Sequence, residues 1–237
     1  MVPADDLFAD TSRRLPPGAP PGAPLAERMR PRDLDEVVGC ESLIGPGTTL
    51  RRAVDAGRLP SLILWGPPGC GKTTVARALA RAAEADFREV SAVSSGVKTL
   101  REVIDVGKAN RLRERRTVLF IDEIHRFNKS QQDAVLPAVE DGTVILVGAT
   151  TENPAFEVNA PLRSRCHVLR LEPVPADVIL RLVDRALEDP GRGLAADGVT
   201  LSAEAREELV RRSNGDARIA LNLLEACASA LPEGEKE

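Results

Sequence analysis

The chain has 237 residues and a formal net charge of -4; 43% of its residues are apolar but only 3% are aromatic. This length suits one large domain, or one with a small satellite, whose core consists of Leu, Val, Ile and Ala side chains. No apolar run is long enough to span a membrane, and the N-terminus shows no export signal. The four cysteines lie far apart without CxxC spacing, which argues against a zinc site or a disulfide framework. We therefore expect a cytoplasmic protein with no membrane partner.

The pattern along the chain predicts three parts. Residues 1–26 include LPPGAPPGAP and are expected to form a flexible, Pro/Gly-rich leader. Residues 27–172 alternate apolar strands with helices, which is typical of a parallel sheet covered by helices on both faces. Residues 173–237 predict three helices without strands between them, and hence a small helical second domain.

The predicted strands in the middle part are SLILW, FREV, TVLFID, VILVGAT and HVLRL. Helices are predicted over 73–85, 98–115 and 129–140, and Pro137 is expected to kink or end the third. In the second helix, Val97, Leu100, Ile104 and Leu112 are expected to lie near one face. The helices of the last part are predicted over 175–187, 203–212 and 217–231, with Ser202 as a helix cap.

A glycine-rich stretch, GPPGCGKT, fits the phosphate-binding pattern G-x-x-x-x-G-K-[ST]. It follows a strand and opens a helix, which is the context that this motif requires. Backbone N–H groups and the helix dipole favour phosphate oxygens there. Lys72 is predicted to reach the β- and γ-phosphates, and the Thr73 hydroxyl to bind Mg²⁺. The residues predicted to hold the nucleotide in this loop are Gly66, Pro67, Pro68, Gly69, Cys70, Gly71, Lys72, Thr73 and Thr74.

The stretch VLFIDEIHR supplies two acids at the end of a predicted strand. Asp122 is placed to hold Mg²⁺, directly or through water, and Glu123 to polarise the attacking water. His125 is interpreted as a solvated or hydrogen-bonded loop histidine without a catalytic role.

Three later motifs carry weaker signals. In GATT, the hydroxyl of Thr150 or Thr151 is a candidate for sensing the γ-phosphate or for orienting water. In PLRSRC, Arg163 and Arg165 are either surface arginines or groups that stabilise phosphoryl charge in a neighbouring subunit. In NGDAR, Arg218 either reaches the nucleotide from the second domain or forms a salt bridge to an acid such as Asp216.

The order of strand, phosphate loop, FIDE, GATT, SRC and GDAR is that of an AAA+ ATPase. Longer segments narrow this resemblance, among them SAVSSGVK, DEIHRFNKSQQDAVLPAVEDG and GATTENPAFEVNAPLRSRCHV. From about Pro24 to the last helix, the chain closely resembles the RarA/MgsA family, replication-associated recombination protein A. That family is similar to the eukaryotic Werner-helicase-interacting protein and, more distantly, to clamp-loader subunits and RuvB.

This resemblance implies an α/β P-loop NTPase (AAA+) core followed by a helical lid, with ATP and Mg²⁺ as cofactors. It implies Thr151 as sensor 1, Arg165 as the arginine finger acting in trans, and Arg218 as the sensor 2 arginine. Arg163 remains an alternative finger. The backbone around Val38 and Gly39 is expected to contact adenine.

The resemblance also implies a bacterial, nucleoid-associated ATPase acting on DNA at stalled replication forks, gaps or duplex ends. Single-stranded DNA and single-strand-binding protein are further expected partners. Full-length family members are tetramers whose oligomerisation region follows the lid. This chain stops at LPEGEKE, so we expect that region to be absent and the fragment to be a candidate monomer.

A basic stretch offers a candidate DNA contact, because residues 98–116 hold 7 basic and 3 acidic residues. Ser94, Ser95 and Gly96 lead into the helix that carries this stretch, where N–H groups favour phosphate. The basic side chains expected to extend this track are Lys98, Arg101, Lys108 and Arg115. A solvated helix face is the competing interpretation, and two other functions stay open: an ATP-gated assembly scaffold and a RuvB-like branch-migration motor.

Overall fold

The computed structural model describes residues 22–231 and contains a five-stranded parallel sheet with helices on both faces. The five predicted strands are confirmed, and their spatial order is β2-β3-β4-β1-β5. All four strand pairs are parallel, so the carboxyl ends of the strands share one edge of the sheet. The strands are β1 (Leu62–Trp65), β2 (Asp86–Ser91), β3 (Thr117–Asp122), β4 (Ile145–Thr150) and β5 (His167–Arg170).

Eleven α-helices lie within the described residues, in addition to 3₁₀ turns at Ile124–Arg126 and Ala195–Asp197. The long helices match the predicted ones to within a few residues, whereas the short ones were not predicted. The first six helices are α1 (Leu25–Arg28), α2 (Glu41–Ile44), α3 (Thr49–Asp55), α4 (Lys72–Ala82), α5 (Val97–Arg111) and α6 (Lys129–Glu140). The others are α7 (Pro154–Glu157), α8 (Ala160–Arg163), α9 (Ala176–Glu188), α10 (Ala203–Ser213) and α11 (Ala217–Ala230).

Two apolar clusters lie on opposite faces of the sheet. One contains Val75 and Leu79 of α4 with Leu64 and Phe120 from the strands. The other contains Leu100 of α5 and residues of α6, packed on the opposite faces of the same strands. Each strand in the middle of the sheet is therefore buried on both faces, which explains its continuous apolar sequence.

Strand β5, at one edge of the sheet, departs from that expectation. Its side chains are mostly exposed, and Val168 retains 42% of its accessible surface. The guanidinium of Arg170 lies 5.2 Å from the ring centre of Trp65 on β1 and covers part of that ring. The other edge strand, β2, is mostly buried because α4 and α5 pack on it, so burial depends on the covering helices and not on apolar sequence alone.

The predicted face of α5 is correct in its first turns but wrong at its end. Leu100 is fully buried, and Ile104 packs partly against the same cluster. Leu112 is 89% exposed, because the helix ends at Arg111 and Leu112 is its C-cap residue. Helical periodicity has no meaning beyond the last helical residue, which accounts for this error.

Helix α6 runs from Lys129 to Glu140 as predicted, and Pro137 does not end it. The helix begins with a capping box, in which Asn128 and Gln131 each accept the other's backbone N–H. This cap anchors the first turn, while proline removes a single N–H donor near the end. The loss of one internal hydrogen bond is therefore tolerated.

The helical second domain contains α9, α10 and α11 and is called the lid below. Its apolar cluster includes Val183, Leu209 and Leu224, together with Leu25 and Met29 from the other end of the chain. Leu25 is fully buried and opens α1, so the end of the segment predicted as a flexible leader is ordered. The rest of that segment, residues 1–21, lies outside the described residues, as do the last six residues of the chain.

Ser202 caps α10 as predicted, since its side chain accepts the backbone N–H of Ala205 at 3.2 Å. The four cysteines are free thiols. Over residues 22–231, no helix combines the length and the apolar character that crossing a membrane requires.

Candidate nucleotide-binding site

A cavity of about 470 Å³ lies between the sheet edge and the lid. The loop after β1, the end of β3, the segment around α1 and the start of α11 all contribute to its wall. This position, outside the carboxyl ends of parallel strands, is where open α/β sheets bind their ligands. The predicted site residues in its lining are Val38, Pro68, Gly69, Cys70, Gly71, Lys72, Thr73, Thr74, Asp122, Glu123 and Arg218.

The loop between β1 and α4 has the backbone of a phosphate cradle. Gly69 and Gly71 have φ angles of +68° and +95°, in the region that side-chain-bearing residues rarely adopt. Gly71 is the N-cap residue of α4, and no side chain caps this helix. Because no side chain caps the helix, the N–H groups of its first turn are suited to bind an anion in the cavity, which Lys72, Thr73 and Thr74 line.

Lys72 lies inside this loop with only 8% of its surface exposed. Its ammonium donates hydrogen bonds to the carbonyl oxygens of Gly66 and Pro67, both at 2.8 Å. Gly66 and Pro67 are not among the residues that line the cavity, and they contact the lysine instead. This buried ammonium is bonded to two neutral carbonyl groups, and its positive charge favours an anionic ligand.

Asp122 ends β3, and its carboxylate faces the cavity together with the Thr73 side chain. Burial raises the pKa of Asp122 above its ordinary value, and the nearby carboxylates of Glu123 and Glu89 raise it further. A divalent cation would offset this concentration of negative charge. Carboxylate and hydroxyl oxygens are also the ligands that Mg²⁺ prefers, so these two residues fit a Mg²⁺ site.

Glu123 follows at once and adopts φ +53°, a left-handed conformation that is unusual for this residue type. Its Oε2 atom lies 3.1 Å from His125 Nδ1 and accepts a hydrogen bond from the Thr151 hydroxyl at 3.4 Å. Thr151 does not line the cavity itself, but its hydroxyl contacts Glu123, which does. The ends of β3 and β4 are thus linked by side chains beside the phosphate loop.

The lid contacts the phosphate loop through the first turn of α11. The Asp216 carboxylate caps this helix by accepting the N–H groups of Arg218 and Ile219, at 2.8 and 2.9 Å. It also lies against Gly69, where a Cβ atom would overlap it. The N–H of Ala217 donates to the Gly69 carbonyl at 3.3 Å. This docking places Arg218 at the cavity, while Asp216 serves as its helix cap.

Arg163 and Arg165 lie outside the cavity, and their surroundings differ. Arg163 donates to the carbonyl oxygens of Pro154, Ala155 and Val158, at 3.3, 2.7 and 3.3 Å. Arg165 donates to a carbonyl in its own turn and forms an ion pair with Glu140 at the surface. Arg163 therefore holds its own segment together, while the Arg165 side chain remains 38% exposed.

The two residues expected to contact adenine have different surroundings. Val38 lines the cavity, but Gly39 does not. Gly39 has φ +79°, and its α-carbon faces Val178 and Pro175 of the lid side. The packing of this loop on the lid depends on residues far apart in sequence, so a local pattern did not reveal it.

Sequence reasoning missed several residues of this site. Met29 and Arg30 line the cavity because α1 packs on the lid, and Asn222 lines it one helical turn after Arg218. His125 contacts Glu123 and Thr150, with an Nδ1 to Thr150 Oγ1 distance of 3.0 Å. Its position two residues after Glu123 was a signal, but its partners depend on how β3 and β4 pair.

The predicted DNA track lies along α5, away from the cavity. Lys98, Arg101 and Lys108 are exposed, and Lys108 forms an ion pair with Asp105 at 2.8 Å. No side chain caps the start of α5 at Gly96. These facts are compatible with a phosphate contact, and the DNA role stays a prediction.

Comparison with known proteins supports the interpretation of the cavity as a nucleotide-binding site of an AAA ATPase. A family model described as ATPase family associated with various cellular activities (AAA) matches residues 62–173. Replication-associated recombination protein A of Haemophilus influenzae is 50% identical over 212 residues, 90% of this chain and 48% of that protein. ATPase WRNIP1 of Dictyostelium discoideum is 44% identical over 211 residues, 89% of this chain and 24% of that protein. The solved structure of Thermotoga maritima RuvB, a Holliday junction branch migration motor, matches with a TM-score of 0.66 at 32% identity, over 83% of this chain and 64% of that chain.

The fold, the phosphate loop and the family model together define a nucleotide-binding protein of the AAA class of ATPases. Within this class, the chain belongs to the RarA/MgsA family of replication-associated recombination protein A, which confirms the resemblance seen in the sequence. The chain spans about half the length of the bacterial relative from H. influenzae.

Proposed function

We propose that this chain is the ATP-hydrolysing unit of a protein that acts on DNA in replication-associated recombination and repair. The supporting observation is that Lys72, Asp122, Glu123 and Arg218 converge on one cavity, although they come from three distant stretches of sequence. The names of the relatives support the DNA context, with stalled forks, gaps or duplex ends as the expected substrates.

In this proposal, each residue has one task in the reaction. Lys72 and the loop N–H groups bind the phosphates of ATP, and Thr73 and Asp122 hold Mg²⁺. Mg²⁺, when bound, neutralises charge on the phosphate oxygens. Glu123 accepts the proton of the attacking water, and Thr151 orients that carboxylate. Arg218 links the nucleotide to the lid.

Arg165 is proposed to act in the site of a second copy. Arg163 is already committed to three carbonyl groups of its own segment, whereas Arg165 is accessible at the surface. An arginine supplied by a neighbour stabilises charge on the transferred phosphoryl group. We therefore propose a homo-oligomer, a tetramer in full-length family members, with single-strand-binding protein as a further partner and a cytoplasmic, nucleoid-associated location.

DNA is proposed to contact α5 and the loop before it. Lys98 and Arg101 are exposed there, and the uncapped helix start offers N–H groups to a phosphate. Contacts of this kind bind the backbone without reading sequence, which suits a protein that recognises DNA structure.

A RuvB-like motor is the second candidate, because the match to the T. maritima branch migration motor covers 83% of this chain. Its distinguishing property is ATP-driven movement of a four-way junction. An assay with a labelled junction separates the two, since an ATPase that only loads or remodels at ends leaves the junction in place. A scaffold would instead change its assembly with ATP, and DNA would not raise its turnover.

The test is the ATPase rate measured against protein concentration, with and without single-stranded, duplex-end and forked DNA. We expect a rate that rises faster than linearly with concentration and increases further with DNA. A specific rate that stays flat and indifferent to DNA would contradict both the second-copy role of Arg165 and the DNA-dependent function.

A further inference from the structure

A histidine to which the sequence analysis gave no role lies beside the carboxylate proposed to activate water. His125 belongs to the 3₁₀ turn that follows β3, and its side chain is 10% exposed. Its Nδ1 atom lies 3.1 Å from Glu123 Oε2 and 3.0 Å from Thr150 Oγ1. One ring nitrogen therefore contacts both the carboxylate and the end of the neighbouring strand β4.

The hydrogen atoms in this cluster can be assigned from its other contacts. Thr150 Oγ1 accepts the N–H of Glu152 at 3.0 Å and donates its own hydrogen to the Glu152 carbonyl at 3.2 Å. An ionised Glu123 carboxylate has no hydrogen to give. The hydrogen between the ring and its two oxygen neighbours therefore belongs to His125 Nδ1, which fixes the tautomer of a neutral ring.

Glu123 needs such a partner because of its backbone. Its φ of +53° lies outside the β region, so the alternation of side chains along β3 does not set the direction of the Glu123 side chain. Among residues 22–231, His125 Nδ1 is the polar atom that lies closest to this carboxylate, and the Thr151 hydroxyl follows at 3.4 Å. Thr150 is fully buried at the end of β4 and anchors the ring in turn.

We infer that His125 is a positioning residue for Glu123, which it holds beside Thr151 through a hydrogen bond from Nδ1–H to Oε2. The inference rests on the proposed hydrolysis, because Glu123 matters there as the group that accepts the proton of water. A carboxylate displaced from that water loses much of its effect, since small misplacements of catalytic groups are costly. ATP binding does not depend on this contact.

Three substitutions separate positioning from simple packing. His125→Asn keeps a donor near the place of Nδ1, His125→Gln moves the donor toward the place of Nε2, and His125→Ala removes it. We expect kcat to fall roughly 10- to 100-fold for Ala and Gln with an unchanged dissociation constant for ATP. The Asn variant should stay within about threefold of the wild type. His167→Gln, in the exposed strand β5, is the matched control.

Two results would overturn the inference. One is a kcat for His125→Ala that is within about twofold of the wild type. The other is an equal loss in all three variants, which would indicate packing alone. Thermal unfolding of each variant shows whether it is folded, and the Asn variant tests the inference even where Ala unfolds.

A spectroscopic measurement needs no turnover. The chain has only two histidines, so ¹⁵N-labelled imidazole spectra of the nucleotide-free protein are easily assigned. We expect the Nδ1–H tautomer for His125 and a changed chemical shift of its Nδ1 in Glu123→Ala, where Thr150 is the remaining acceptor, while the spectrum of His167 stays unchanged. An Nε2–H tautomer in the wild type would contradict the inference. If the wild type hydrolyses no ATP, the proposed function fails, and this spectrum alone decides the contact.

Discussion

The cavity beside the phosphate loop and the segment Asn153–Arg165 carry residues that we propose for the same reaction, yet the fold places them differently. Lys72, Asp122 and Arg218 line one cavity within a single chain. The arginines of the second region lie outside it, with Arg163 turned inward to carbonyl groups and Arg165 on the surface.

This difference has a simple physical origin. Parallel strands end at one edge of the sheet, so residues that follow β1, β3 and β4 meet there without help from a second copy. Asn153–Arg165 is instead fixed to α6, where Gln132 bonds the carbonyl of Glu157 at 3.1 Å and the N–H of Asn159 at 2.8 Å. A rigid outward-facing segment is suited to act on a neighbour. The cavity should therefore bind nucleotide alone, whereas full turnover should need assembly.

The largest expected effect is the loss of nucleotide binding in Lys72→Ala. Removing an ammonium that we propose to contact the phosphates should weaken ATP binding by roughly 100-fold, since hydrogen bonds to charged groups are strong. Titration with a fluorescent ATP analogue measures this. Lys129→Ala, an exposed lysine at the start of α6, is the control and should bind like the wild type. Normal affinity in Lys72→Ala would remove the phosphate loop from the site.

Glu123→Gln should separate binding from chemistry within the cavity. The amide keeps the size of the side chain but cannot accept a proton, so turnover should fall at least roughly 100-fold while ATP affinity is retained. Single-turnover hydrolysis and equilibrium binding on the same preparation give both numbers. Hydrolysis close to the wild-type rate would exclude Glu123 as the base.

Arg165→Ala tests the other side of the comparison. ATP affinity should be unchanged, and only the part of the rate that grows with protein concentration should disappear. A mixture of Arg165→Ala with Glu123→Gln is the sharpest measurement. The first variant keeps Glu123 and the second keeps the arginine, so mixed assemblies should recover activity that neither variant shows alone.

Arg163→Ala is the natural counterpart, because it removes a structural group from the same segment. Its loss leaves three carbonyl groups without their partner and should lower the free energy of unfolding by about 1 kcal/mol. Denaturant unfolding measures that change. Arg163→Ala is also mixed with Glu123→Gln. If this mixture recovers activity and the mixture of Arg165→Ala with Glu123→Gln does not, then Arg163 is the residue that acts in a second copy and Arg165 is the structural one.

The sequence predicted the parts of this molecule that depend on short-range order. The five strands, the phosphate loop and α6 follow from local apolar runs and fixed glycine spacing. The packing of Leu25 on the lid could not be read in this way, because its partners are about 150 or more residues away. The contact of His125 with Thr150 likewise depends on the pairing of β3 with β4. The periodicity of a sequence predicts local structure and does not show which distant residues will be in contact.

The smallest expected effect is on the stability of the nucleotide-free chain. It tests whether the Asp122 carboxylate in the cavity destabilises the fold. Because burial and neighbouring carboxylates raise the pKa of Asp122, its charged form destabilises the folded chain above that pKa. Asp122→Asn should therefore raise the melting temperature of the nucleotide-free chain at neutral pH by about 1–2 °C, a small gain because the side chain is only partly buried. The gain should shrink as the pH falls and the wild-type carboxyl becomes neutral.

Asp189→Asn in the lid offers the opposite sign for the same chemical change. Burial opposes ionisation there, but hydrogen bonds from Arg192 prevail and lower the pKa of Asp189. Its carboxylate thus stabilises the fold above the unfolded-state pKa, and this contribution is lost as the pH falls through the lowered pKa. Melting curves over a pH series should show Asp122→Asn above the wild type and Asp189→Asn below it, with both differences vanishing in acid. A lower melting temperature for Asp122→Asn at neutral pH would show that this carboxylate is stabilising, and Mg²⁺ would then have no excess negative charge to offset.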